Sequence, residues 1–162
     1  FLGLERLEGD SAAVADHLVA DVALGRRVDA ARDWLLDDGA SDSPALMALL
    51  AGLAGEQDET VVVDMVEDGL DHATQAALIA YLRRAASSLP RLMLMTRSSA
   101  ILDLAAVGPG EAIILCPANH SPPTLVAPYP GAPGYEAVAT CLATPGVRAR
   151  TAGVVAARAA VR

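Results

Sequence analysis

Along the chain, apolar positions recur first at helical spacing and then as short runs. Asp10 to Ala23 and Val28 to Leu36 carry the helical spacing, with Gly25 between them and Asp37-Asp38-Gly39 after the second. Ser43 as N-cap, Pro44 at the first helical position and Gly55 beyond the last turn bracket an apolar helix over Ala45 to Ala54. Thr60 to Asp64 (TVVVD) is a β-branched run ending in a carboxylate, which predicts a central parallel strand buried on both faces. Asp71 caps a predicted helix from His72 to Ser87, and Arg91 to Met95 (RLMLM) reads as the next strand. A short helix holding Asp103 follows Thr96. A strand over Glu111 to Cys116 pairs with Pro123 to Ala127 across the Asn119-His120-Ser121 turn. Tyr135 to Leu142 and Arg148 to Val161 read as helices.

Strand, helix, strand, helix, strand predicts an α/β fold, a mostly parallel sheet with flanking helices and right-handed crossovers. The length, 162 residues, fits one domain. It divides into a helical part (1–40), an α/β core (41–127), and a linker with C-terminal helices (128–162). A chain of this size buries about two thirds of the surface its unfolded form exposes, so it needs no disulfide or metal staple.

Composition changes this picture in one direction. The twelve basic residues are all arginine, set against twenty Asp plus Glu, for a net charge of −8. An acidic chain without a basic block lacks the cationic side chains that nucleic-acid binding draws on, so no nucleic-acid partner is expected. The absence of lysine removes Schiff-base chemistry and the lysine of a GxxxxGK[ST] phosphate loop. Cys116 and Cys141, with no secretory leader in view, fit a reducing cytoplasm. The uncharged stretch from Ala112 to Gly134 contains prolines, Asn119, His120 and Ser121, which hydrocarbon would not tolerate. The chain opens on Phe1 rather than Met, which leaves open a fragment or a processed form.

The strings TVVVDMVEDGLD and LMLMTRS, from Thr60 to Ser98, resemble the distal half of an ATP-binding-cassette (ABC) nucleotide-binding domain. In that family a hydrophobic strand ends in Asp-Glu, a Gly-Leu-Asp turn follows, and a later strand ends in Thr-His. The resemblance makes the core a remnant of a P-loop NTPase. It implies that Asp64 reaches a magnesium shell, and that Gly69-Leu70-Asp71 meets an opposing subunit. It also places the signature loop at Ala40 to Pro44 (ASDSP), where Ser41 alone matches.

Three departures follow. Asp42 stands for a glycine where a phosphate belongs, and two unit charges about 4 Å apart repel by roughly 4 kcal/mol at an effective dielectric of about 20. Met65 replaces the glutamate that polarises the attacking water, and Arg97 replaces the switch histidine. General acid–base groups are each worth about 100- to 10,000-fold, so the chain is expected not to hydrolyse ATP alone. A phosphate loop is either absent or outside this chain. The expectation is therefore a degenerate or partial ABC-type domain with a regulatory or structural role. Its site remnant is Asp64, Ser41, Asp71 and Arg97, with Asp64 the metal ligand, ATP and Mg²⁺ the ligands, and no catalytic residue.

Its expected partner is a complete ATPase subunit, a second copy or a permease, with the membrane reached only through that permease. The alternative is a non-enzymatic α/β protein-interaction module of an unrelated family. A small hydrolase using Cys116 or Asp64 ranks third.

Other residues fit plainer roles. Asp64, Glu67, Asp68, Asp71 and His72 form the densest polar cluster, but counting from Asp64 places Val66 and Gln75 at the third and twelfth positions of a calcium loop. A solvated helix N-terminus, which favours negative charge, accounts for the same acids. His17 with Asp21 reads as a surface contact, and Cys116 as a small core residue rather than a nucleophile served by His120. Trp34 reads as a packed core tryptophan, although the resemblance sets it in the helical region that faces permeases. Arg148, Arg150, Arg158 and Arg162 read as a solvated helix face.

Overall fold

A computed structural model describes residues 1–3, 5–9, 11–55, 60–117 and 121–141. The described elements run α1 (Glu5–Glu8), α2 (Ser11–Ala20), α3 (Val22–Asp37), α4 (Pro44–Ala54), β1 (Val61–Val63), α5 (His72–Arg84) and β2 (Leu92–Leu94). Then come α6 (Ser99–Leu102), a 3₁₀ turn at Leu104–Ala106, β3 (Ile113–Leu115), β4 (Thr124–Val126) and α7 (Tyr135–Cys141). The fold is mixed α and β, with one parallel and one antiparallel pair of strands. Among the described residues no helix is long and apolar enough to cross a membrane.

The break between the first two long helices lies at Asp21, four residues before the expected glycine. Asp21 is extended, and its carboxylate accepts the N–H groups of Ala23 and Leu24, two donors that the first turn of α3 leaves without helical partners. Gly25 lies inside α3 for a steric reason. A Cβ there would stand 2.7 Å from the Leu18 carbonyl oxygen, so glycine lets α2 fold back against α3. Ser43 and Asp71 cap α4 and α5 as the sequence predicts, accepting from the Leu46 and Thr74 amides. Helix α5 stops at Arg84, three residues before the expected end, with Ala85 as its C-cap.

Leu24, Val28, Ala31 and Leu35 form one stripe of α3, and Leu46, Leu49, Leu50 and Leu53 one stripe of α4. These pack with Ala77, Leu78 and Leu82 of α5 and with Val61 and Val63 of β1 in a single apolar core. Strand β1 pairs in parallel with β2, Val61 beside Leu92 and Val63 beside Leu94. Its other edge is met by Leu2, whose N–H donates to Val62 and whose carbonyl accepts from Asp64. Leu2 fits over Gly52, where a Cβ would collide with the leucine methyls. The expectation of a strand covered on both faces is corrected here: Val61 and Val63 are buried, whereas Val62 is half-exposed and Met93 and Met95 are exposed. Among the described residues the core lies on one side of the parallel pair only.

Among the described residues the third predicted strand does not join that sheet. β3 pairs antiparallel with β4, Ile114 opposite Leu125, and Gly134 approaches Val126 and Leu115. Arg83 of α5 holds this end of the molecule, donating to Asp103 at 2.6 Å and to Glu111 at 3.0 Å. Asp103 does not sit within a helix but between α6 and the 3₁₀ turn, in the left-handed region at φ 38°. Asn119, His120 and the predicted helix from Arg148 to Val161 lie outside the described residues.

Two substitutions test this packing. Leu78→Ala, in the centre of the core, should cost about 2–5 kcal/mol by urea denaturation. Gly25→Ala would gain about 1 kcal/mol from helix propensity alone; the Leu18 carbonyl contact predicts a net loss of stability instead, read in the same assay.

Candidate functional site

The residues singled out by sequence fall at the C-terminal ends of the parallel strands and at the loop before α4, the edge of a parallel sheet where ligands generally bind. After Val63 the chain turns sharply. Met65 adopts φ 46°, uncommon for a residue with a side chain, and Gly69 follows at φ 77°. Arg6 holds the turn from the far side of the sequence. Its guanidinium donates to the carbonyls of Asp64 at 2.8 Å and Met65 at 2.7 Å, and to Gly3 at 2.9 Å. Nothing in the sequence marked Arg6.

Glu67 is the buried centre of this region, only 1% exposed. Its carboxyl oxygens accept the Thr96 hydroxyl at 2.7 Å and the Arg97 amide at 2.9 Å. Glu67 thus ties the loop after β1 to the loop after β2. The chain of bonds continues inward: the Ser98 amide donates to Thr96 Oγ1, and the buried Ser98 hydroxyl donates to Gln75 Oε1 at 2.6 Å. Gln75 donates in turn to the Leu70 carbonyl at 2.7 Å, closing the Gly69-Leu70-Asp71 turn onto α5. Among the described residues no buried side-chain nitrogen or oxygen lacks a partner, as a low-dielectric interior requires. Sequence reading placed Glu67 in an acidic cluster and missed Gln75 and Ser98. A glutamate three residues past a strand end gives no hint of which amides it will reach.

Ser41 and Asp71, thirty residues apart, are brought into contact. The Ser41 hydroxyl donates to Asp71 Oδ2 at 2.5 Å, and the Ser41 amide donates to the buried Thr74 hydroxyl at 2.8 Å. The other Asp71 oxygen caps α5 through the Thr74 amide at 2.7 Å. The Ser41 hydroxyl and then the Thr74 amide hold the Asp71 carboxyl below its ordinary range. Asp42, by contrast, is met by Arg32, which donates to both of its oxygens. That guanidinium lowers the Asp42 carboxyl and offsets its charge, so the repulsion expected of an isolated aspartate toward phosphate is reduced.

Asp64 is half-buried beyond the end of β1 and Arg97 is exposed beyond the end of β2. Among the described residues neither the Asp64 carboxylate nor the Arg97 guanidinium has a hydrogen-bonding partner. The structure therefore brings together Ser41 with Asp71, and Glu67 with the Thr96-Arg97 backbone; it shows no bond joining the two sets to Asp64. No group of three or more His, Cys, Asp or Glu among the described residues is placed to hold a metal ion, so the acidic cluster from Asp64 to His72 is not a cage. A hard cation on Asp64 would take its remaining ligands from water and phosphate.

Cys116 is exposed rather than in the core, and the side chains of Cys141 and His120 lie outside what is described. Trp34 packs against the main core, 5.6 Å from the Tyr81 ring, with the Arg84 guanidinium 5.4 Å from its centroid. No protein-family model, no curated protein and no solved structure matches the chain.

The two networks give separable predictions. Glu67→Ala strands buried donors and should cost about 1–3 kcal/mol. Glu67→Gln should cost less, because one oxygen still accepts from Arg97 and the Thr96 hydroxyl can turn to accept from the amide. For Asp71 the folded pKa lies below the unfolded value near 3.9. Its stabilisation is then fully present above that value and is lost as pH falls through the folded pKa. Asp71→Asn keeps a capping oxygen and should flatten the stability profile below about pH 5 in thermal melts.

Proposed function

We propose that the chain is a degenerate or partial ABC-type nucleotide-binding domain that acts as a regulatory or structural half beside a complete ATPase subunit or a permease. The observation that carries this reading is the Ser41–Asp71 contact. The resemblance sets Ser41 in the signature loop and Asp71 in the Gly-Leu-Asp turn; these segments, thirty residues apart in sequence, lie against each other at 2.5 Å. Two further features support it. The strand leading to Asp64 and the strand leading to Thr96-Arg97 are parallel neighbours in register, so both ends open on the same side of the sheet. Arg32 offsets the Asp42 charge, which lowers one barrier to a phosphate near this loop.

In this reading Asp64 is the ligand for Mg²⁺, and the nucleotide's phosphates and water complete the metal's shell. Met65 cannot polarise water, and Arg97 offers a fixed cation where the family uses a titratable imidazole. The Ser41 amide and hydroxyl are occupied by Thr74 and Asp71, so engaging a γ phosphate would require the partner to draw this loop open. The domain would sit on the cytoplasmic side, with the membrane reached only through its partner. A non-enzymatic protein-interaction module is the second reading, favoured by the exposed Met93 of β2 and Met95 just beyond it.

Titration with a fluorescent ATP analogue and Mg²⁺ separates these readings in part. The isolated chain should hydrolyse no ATP and bind the analogue no tighter than about millimolar, or roughly 4 kcal/mol of affinity. Tighter saturable binding that Asp64→Asn removes would show a self-sufficient site and overturn the need for a partner. Pull-down from the native host with a non-hydrolysable ATP analogue should recover an ATPase subunit or a permease. Ser41→Ala and Asp71→Ala should weaken that association at least tenfold; recovery of neither partner would sink the ABC-like reading.

A further inference from the structure

Among the described residues, the backbone register of the parallel pair leaves one edge and one face of the same strand unused. Val61 donates to the Arg91 carbonyl and Met95 donates to the Val63 carbonyl, so Arg91, Met93 and Met95 turn their peptide groups toward β1. The peptide groups of Leu92 and Leu94 consequently point away, and neither residue has a hydrogen bond to any described residue on that side. Side chains alternate across a strand, so Arg91, Met93, Met95 and Arg97 share the face opposite the core. All four are exposed, Met93 by 52% and Met95 by 49%, with Val62 of β1 beside them. Parallel sheets are ordinarily covered on both faces, and unpaired edges are ordinarily blunted. Among the described residues nothing covers this face, and the edge is guarded only by its three-residue length and by the charges of Arg91 and Arg97 at its ends.

We infer that β2 is a docking edge for an extended segment of a partner polypeptide, apolar at its centre and carrying carboxylates at its ends. Backbone pairing would satisfy the Leu92 and Leu94 N–H and carbonyl groups, the mode of recognition known as strand addition. The partner's alternate side chains would extend the Val62–Met93–Met95 surface. Charge sets the ends: Arg91 and Arg97 flank the methionines and make no ion pair with a described residue. The carboxylate facing them from the neighbouring strand is Asp64, beside Met95, so the Arg91 end discriminates more sharply than the Arg97 end. The chain's own residues 142–162 carry four arginines and no Asp or Glu, the wrong sign for this edge. A second copy would bring its own Arg91 and Arg97 against the same two arginines, like charge facing like charge. This surface involves no nucleotide chemistry, and it stands or falls separately from the ABC-like reading.

The test uses a nine-residue synthetic peptide of alternating valine and threonine with glutamate at each end. Its controls have lysine ends, or proline at every second position to remove one row of N–H groups. The glutamate peptide should bind saturably by fluorescence anisotropy and slow hydrogen exchange of the Leu92 and Leu94 amides at least tenfold by NMR. The lysine peptide should bind at least fivefold more weakly, and Arg91→Glu with Arg97→Glu should invert that preference. Leu94→Pro should abolish binding; should it also unfold the chain, Met93→Asp keeps the edge backbone and should weaken binding at least tenfold. Equal binding of the proline control, or no added protection at Leu92 and Leu94, would overturn the inference. So would amides already protected in a peptide-free dimer, detected by light scattering.

Discussion

A carboxylate with almost no exposure to water organises this molecule's strand ends. Glu67 lies in a low-dielectric setting where an unmatched acceptor would be costly, so it must find donors, and it finds them on the loop after β2. That requirement fixes the relation of the two loops. It positions Ser98 to meet Gln75, Gln75 then closes the turn at Leu70, and Asp71 is left at the mouth of α5 facing Ser41. Arg6 performs the complementary task from outside, satisfying the carbonyls of a turn that Met65 takes at a positive φ.

Local signals in the sequence were read well because their physics is local. Ser43-Pro44 and Asp71 are caps whose side chains reach amides two or three residues away, and the structure bears them out. The β-branched run at Val61 to Val63 and the LML run at Leu92 to Leu94 became strands, and the hairpin of β3 with β4 formed as expected. Gly25, expected between the two helices, lies inside α3. Its reason for being glycine is the Leu18 carbonyl, a contact between two helices that propensity cannot register. The buried network was illegible for the same reason. Glu67, Gln75, Thr96 and Ser98 are separated by up to about thirty residues, and no spacing rule links them.

The sheet departs further from the expected arrangement, although its first two strands are parallel as predicted. An alternation of strands and helices argues for one parallel sheet, yet β3 turned to β4 instead of extending β2. Periodicity had in fact offered a warning. In RLMLMTR the odd positions carry two arginines around two methionines, a face unlike the all-apolar runs of a strand buried on both sides. Leu92 and Leu94 alone face the core, and the strand is amphipathic in the manner of a sheet with one open side.

Two features left over from this packing meet on one strand. Among the described residues Asp64 and Arg97 end the parallel pair without hydrogen-bonding partners, and the edge of β2 that no described residue pairs runs toward that same end. A segment paired in parallel along β2 would deliver its own C-terminal end beside Asp64 and Arg97. An antiparallel segment would deliver its N-terminal end there instead. Strand direction therefore decides whether a docked partner can contribute to the chemistry of the strand ends or only cover the methionines. In the parallel case the loop following the partner's strand would lie where phosphate-binding loops lie in other parallel sheets, at the carboxyl edge.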